Sequence, residues 1–156
     1  MQIDRKWLEM LAGAAGGAVA IGVMCLLSIQ TRFPLEYIPF ATSIVLVTGS
    51  PEAAPARPRA LVGGHVLSAL VGEIALMLGG SQPWVAAIAV WIAIVVMLAT
   101  DSFHPPAGIN PLIIVTHSMP WSFVAVPVAA GALILLAYTW AWTYLVRRQP
   151  WPDRWW

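Results

Sequence analysis

Residues Asp101–Thr116 read Asp-Ser-Phe-His-Pro-Pro-Ala-Gly-Ile-Asn-Pro-Leu-Ile-Ile-Val-Thr. The apolar part, about Ala107–Thr116, is short: about ten helical residues rise ~15 Å, half of a ~30 Å bilayer core. Proline suits the first turn of a helix and favours extended backbone just before it. The stretch therefore predicts an extended lead-in, through His104-Pro105-Pro106, followed by a half-helix. Non-helical backbone at membrane depth is tolerated only when buried in protein or lining a wet cavity.

The surrounding sequence supplies the membrane context. The chain is 60% hydrophobic and 10% charged. Soluble domains carry about 25% charged residues, so there is too little polar material here to coat a globule. Four runs are long enough to span as helices: about Leu11–Ile29, Ala60–Leu78, Trp84–Thr100 and Ser122–Val146. Arg5 and Lys6 before the first run imitate a secretory leader, but the run outlasts the roughly 7–15-residue core of one. The expected fold is an all-α membrane protein, one transmembrane domain over 1–156.

A second short run, about Ile38–Thr48, begins at Pro39-Phe40-Ala41-Thr42-Ser43 and follows Phe33-Pro34-Leu35-Glu36. Its Ile44–Ser50 aligns with Leu112–Ser118 at a shift of 68 residues, both ending in Thr-x-Ser. Each half then holds a short half-helix followed by a long helix. This predicts half-repeats of about 10–79 and 83–147, four long helices plus two proline-initiated half-helices.

Charge favours the same plan. Arg5/Lys6, Arg57/Arg59 and Arg147/Arg148 all fall on one side if the short segments also cross, giving six crossings, with Arg32 the exception. By the positive-inside rule that side is cytoplasmic. Three crossings per half make the repeats inverted. Most of the nine tryptophans, among them Trp7, Trp84, Trp121 and Trp151, sit at helix ends, as an interfacial belt requires. The four-spaced small residues Ala12, Gly16 and Ala20 are read as helix packing.

Net charge +1 excludes a broad basic surface for nucleic acid. The lone Cys25 excludes an internal disulfide, and three scattered histidines exclude the usual zinc spacings. No metal or cofactor is expected. Without a nucleophile or metal cluster, neither is an enzyme.

Polar residues inside a bilayer are expensive and are functional candidates by default. Helix N-termini leave N–H groups unpartnered and attract anions. If the half-helix N-termini converge, Thr42, Ser43, Gly108 and Asn110 line one spot near the midplane, with His65 and His104 beside it. The plainer alternative is that the donors satisfy one another. Asp101 is expected to fix the tautomer of His104, or else to cap the turn. Arg57 and Arg59 are either positive-inside residues or an anion-attracting mouth. Glu73 has no evident partner, and His117 is assigned to an interface.

These motifs resemble the HPP family of membrane proteins. The matching pieces are Pro39-Phe40-Ala41-Thr42-Ser43, Pro51-Glu52-Ala53, Arg57-Pro58-Arg59 with Gly63-Gly64-His65, and His104-Pro105-Pro106-Ala107-Gly108. The family is commonly described as four-helical, whereas charge placement here predicts six crossings. It commonly has Gly-Ala after Pro-Phe, where this chain has Ala41-Thr42. Plastid and cyanobacterial relatives transport nitrite, so the resemblance implies a transporter or channel for nitrite or another small monovalent anion. The alternative is a non-transporting scaffold or subunit. Gly/Ala-rich helix faces predict a homo-oligomer, and a bacterial inner membrane is the expected location.

Overall fold

Helices follow the apolar runs because a bilayer leaves backbone N–H and C=O groups no other partners. The structure, a computed structural model, describes residues 4–31, 38–152 and 154–155. Its elements are α1 (Arg5–Thr31), α2 (Ile38–Gly49), α3 (Arg59–Gly79, its first turn a π-helix over Arg59–Gly63), α4 (Pro83–Ala99), α5 (Asn110–His117, entered through a 3₁₀ turn over Pro105–Ile109) and α6 (Ala130–Trp142). α6 is the middle of a longer helical stretch, Val124–Arg147. The lead-in Phe33-Pro34-Leu35-Glu36, Arg32 and Trp156 lie outside the described residues.

Among the described residues, three helical stretches are long and apolar enough to cross a membrane: Arg5–Gln30, Arg59–Gly79 and Val124–Arg147. The fourth expected span is shorter. α4 has 17 residues, about 25 Å by helical rise. Proline at its first turn starts it, and Asp101, at φ 52, stops it. The last stretch is also broken where the sequence predicted continuity: Val126, before Pro127, takes extended dihedrals (φ −137, ψ 120).

Glycines set the helix contacts. A Cβ at Gly13 would sit 2.8 Å from the Thr48 carbonyl oxygen, and one at Gly16 would sit 2.5 Å from the Trp142 indole nitrogen. α1 therefore lies directly against α2 and α6. Tyr138 Oη donates to the Gly16 carbonyl at 2.7 Å and Trp142 Nε1 to the Ala12 carbonyl at 3.1 Å. The Ala12/Gly16/Ala20 row is thus an internal packing seam. A Cβ at Gly72 would meet Pro111 Cα at 2.8 Å, which brings α5 onto α3.

These contacts fix direction. His104 packs on Gly64 and Pro111 on Gly72, so the segment through α5 descends beside α3. Phe40 packs on Gly131, and Thr48 receives Arg147 Nη1 at 3.2 Å, so α2 runs alongside α6. The two short helices are antiparallel and meet near their starts. Arg59 Nη2 donates to the Thr100 carbonyl at 2.5 Å, Gln149 to Glu9 at 3.3 Å, and Trp151 Nε1 to the Pro51 carbonyl at 3.0 Å. Residues near both chain ends and the 48–59 segment therefore share one end of the bundle.

Candidate functional site

The site is built where the two short helices meet α3. Ser43 lies one turn into α2, and its hydroxyl reaches back to the Pro39 carbonyl oxygen at 2.6 Å. The same oxygen is 2.9 Å from His65 Nε2 and 2.9 Å from His104 Nε2. His65 projects from α3 just past Gly63-Gly64, and the imidazole of His104 hangs from the lead-in to the 3₁₀ turn. Gly64 allows this approach, since a Cβ there would lie 2.7 Å from His104 Cβ. Asn110, first residue of α5, closes the far side: its Nδ2 lies 3.2 Å from His65 Nδ1, 3.1 Å from the His65 carbonyl oxygen and 2.9 Å from Ser68 Oγ. Ser43, His65, Ser68, His104 and Asn110 are each 0% exposed.

The bonding assigns the protons. Pro55 O accepts only, so His104 Nδ1, 2.7 Å away, carries a hydrogen. The His65 carbonyl likewise requires the amide nitrogen of Asn110 to face it. The two hydrogens of that nitrogen serve the His65 carbonyl, Ser68 Oγ and, at 3.2 Å, His65 Nδ1. An amide nitrogen does not accept, so His65 Nδ1 carries no hydrogen toward it, leaving the hydrogen on His65 Nε2, which points at Ser43. A connected chain results, from Asn110 through His65, Ser43 and His104 to Pro55, with the one hydroxyl hydrogen of Ser43 shared between Pro39 O and His104 Nε2. The Phe40 ring stacks on His65 at 4.9 Å, closing one side with apolar surface. Asn110 Oδ1 is buried without a hydrogen-bond partner, as is Glu73 Oε1 elsewhere on α3.

Pro55 also lines a cavity of about 90 Å³, whose walls include Arg57, Arg59, Asp101 and Phe103. At ~30 Å³ per water this holds roughly three waters, or a small anion. The cavity and the buried chain share Pro55 as their dividing wall.

Ser43, His65, His104 and Asn110 thus come together, with Arg57 and Arg59 one wall away. Thr42 and Gly108 do not join them. Thr42 is exposed and its hydroxyl turns back to the Pro39 carbonyl at 3.1 Å. A Cβ built at Gly108 meets nothing within 4 Å. Asp101 does not orient His104: it is exposed on the cavity rim, and the Pro55 carbonyl holds Nδ1 instead. His65 is six residues into the 21-residue stretch Arg59–Gly79, about 9 Å from the arginine end of a ~32 Å helix. Ser68 and Pro55 were missed. Ser68, three residues after His65, shares its helix face and could have been found from that spacing. A backbone carbonyl such as that of Pro55 leaves no signature in sequence. His117 is exposed at the far end of α5 and bonds within its own turn.

The model of the HPP transmembrane region matches residues 3–152. The chain belongs to the HPP family. As an HPP-family protein with membrane-spanning helices, it is an integral membrane protein. A transmembrane protein of Dictyostelium discoideum is 36% identical over 167 aligned residues, covering 99% of this chain and 51% of that protein. A second transmembrane protein of the same organism is 38% identical over 125, covering 75% and 44%. The chain spans about half the length of the curated relatives it matches. No solved structure matches it. In this HPP-family chain, the His-Pro-Pro run holds His104 in extended backbone (φ −124, ψ 97) just before the 3₁₀ turn. That geometry is what turns the imidazole toward Ser43.

Proposed function

We propose that this HPP-family protein is a transporter or channel for a small monovalent anion, nitrite foremost, and not an enzyme. The observation that carries the reading is the meeting of two antiparallel short helices at a buried Ser43/His65/His104/Asn110 cluster, one wall from a cavity between Arg57 and Arg59. Buried polar clusters in membrane proteins are costly and mark pathways. Arginines at the cavity raise the local anion concentration, and broken helices at a repeat junction are a common transporter site.

The proposed architecture is six passes in two inverted halves. Two correspondences at the 68-residue shift support it. Thr48 and Thr116 each bond the carbonyl four residues back at 2.7 Å. Gly63 and Gly131 each receive a side chain from the opposite half, Ser102 and Phe40 respectively. The shared end carrying Arg57 and Arg59 is assigned to the cytoplasm, in a bacterial inner membrane. A homo-oligomer is supported by Ala14, Ala18 and Gly22, spaced by four and turned outward on α1.

A second reading, a non-transporting scaffold, is favoured by one observation: nearly every polar atom of the cluster already has an internal partner. Purified protein in liposomes separates the two. Nitrite uptake above that of protein-free vesicles is expected, reduced at least about tenfold by His104→Ala or Asn110→Ala, the loss of ~1.4 kcal/mol or more. No flux of nitrite, nitrate, formate or chloride sinks the transport reading.

A further inference from the structure

Ser43 has one hydroxyl hydrogen and three partners within reach: Pro39 O at 2.6 Å and His104 Nε2 at 2.9 Å, either of which can accept it, and His65 Nε2 at 2.9 Å, which donates. A hydroxyl donates once and accepts twice. His104 Nδ1 is committed to the Pro55 carbonyl. Two bonding patterns follow. In one, Ser43 donates to a neutral His104 and accepts from His65, and Pro39 O goes without the hydroxyl hydrogen. In the other, Ser43 donates to Pro39 O and accepts from both rings, and His104 is an imidazolium with Nδ1–H on Pro55 and Nε2–H on Ser43. The same heavy-atom positions serve both patterns, which differ by one added proton at His104 and by the direction of the hydroxyl hydrogen.

We propose, resting on the transport reading, that His104 is a proton-binding site and that one proton travels with each anion. An isolated charge buried here is costly unless paired. An imidazolium alone is unwelcome at a wholly buried position, and so is an anion alone. Together they are neutral, so each raises the affinity for the other, and this reciprocal coupling is what co-transport requires. The groups packed around His104 leave it the available partner for an anion. α2 offers Ser43 and no ionisable residue. α3 offers His65, its ring centroid 5.1 Å away. α5 offers the Asn110 amide. The Pro55 side offers Arg57 and Arg59 with Asp101 on the rim, across the cavity wall. No described acidic side chain contacts the imidazole to fix it permanently as a cation.

The step is balanced. A proton from the aqueous phase forms an N–H bond at His104 Nε2, reaching it through the Ser43 hydroxyl, which His65 also touches. The bond broken is the O–H of the aqueous acid that delivers the proton; Ser43 gives up its hydroxyl hydrogen as it gains the incoming one, so its own O–H is restored and no oxidation state changes. Release on the other side reverses it.

The test uses the full-length wild-type protein in liposomes, with nitrite as the probe and uptake by protein-free vesicles subtracted. One pH unit, acid outside, is expected to raise the initial uptake rate by up to about tenfold. An inside-negative potassium diffusion potential is expected to leave it unchanged, because the loaded pair is neutral. Uptake that is slowed by the potential and indifferent to the pH gradient overturns the coupling while leaving anion transport standing. Absence of any protein-dependent anion uptake overturns the transport reading itself, and the coupling with it. His104→Gln keeps a side-chain N–H for Pro55 but cannot ionise. Its residual uptake is expected to become voltage-sensitive and to lose the pH response, whereas a merely structural role would slow uptake without changing what drives it. Full pH-driven uptake by His104→Gln would overturn the proposal.

Discussion

A hydroxyl, two imidazoles and a carboxamide occupy a volume that the surrounding sequence would fill with valine or leucine. Their placement depends on the absence of one carbon. A Cβ at Gly64 would stand 2.7 Å from His104 Cβ and 2.8 Å from the Ser102 carbonyl oxygen, neither of them the free end of a flexible chain. Gly64→Ala is expected to cost about 1–3 kcal/mol through overpacking. Gly63→Ala, whose Cβ would meet Ser102 Cβ at 3.3 Å, is expected to cost clearly less. Thermal unfolding of the two variants in one detergent checks the order. Equal midpoints would mean that the backbone shifts freely here. At this scale much of the cluster was legible: Ser43, His65, His104 and Asn110 are conspicuous as polar residues between apolar runs. The partners that hold them were not. Asp101 looked like the neighbour of His104 because it is three residues away, yet the chain leaves the helix at Asp101 with φ 52 and His104 turns to a carbonyl from a distant segment. Thr42 and Gly108 are grouped with the site because both lie at the half-helix N-termini, but the hydroxyl of Thr42 turns back to its own helix.

Between elements, the first turn of α2 is a wedge. Phe40 is 1% exposed. Its ring stacks on His65 of α3 and lies where a Cβ on Gly131 of α6 would be, 2.6 Å from its Cζ. One side chain therefore sets the spacing of three helices. Gly131→Ala is expected to destabilise by about 1–3 kcal/mol, and Phe40→Leu to relieve part of that in the double variant. A coupling of about 0.5–3 kcal/mol in a double-mutant cycle, read by unfolding in detergent, is the expected result. Strict additivity would show that the ring is not what separates the helices. Helix positions were legible because apolar length needs no tertiary information. The break at Val126-Pro127 was less so, since a proline near a helix start is compatible with an unbroken first turn. The shortness of α4 depends on how Asp101 and Pro83 act as stops, which hydropathy alone does not report.

The molecule as a whole has two unlike ends. One gathers Arg5, Glu9, Thr48, Pro51, Arg59, Thr100, Arg147 and Gln149. The other carries the Gly79-Gly80-Ser81-Gln82 turn between α3 and α4. In a Cys25→Ser background, Arg5→Cys and Glu52→Cys are expected to react with a membrane-impermeant maleimide from the same side, and Ser81→Cys from the opposite side. Labelling of all three from one face would contradict the six-pass arrangement. That Arg59 and Arg147 gather at one end of the bundle was legible from the arginines, because charge asymmetry is a property of the whole chain and survives errors in any one boundary. One contact described above reaches further. Gln149 touches Glu9, so the start of α1 and the segment after α6 meet at one end of the bundle, with the Gly80 turn on the far side. A circular permutant with the segment after Gln149 linked to the start of α1 and opened at Gly80 is expected to keep the same packed bundle with its halves in exchanged order, because these contacts are between neighbours in space and not in sequence.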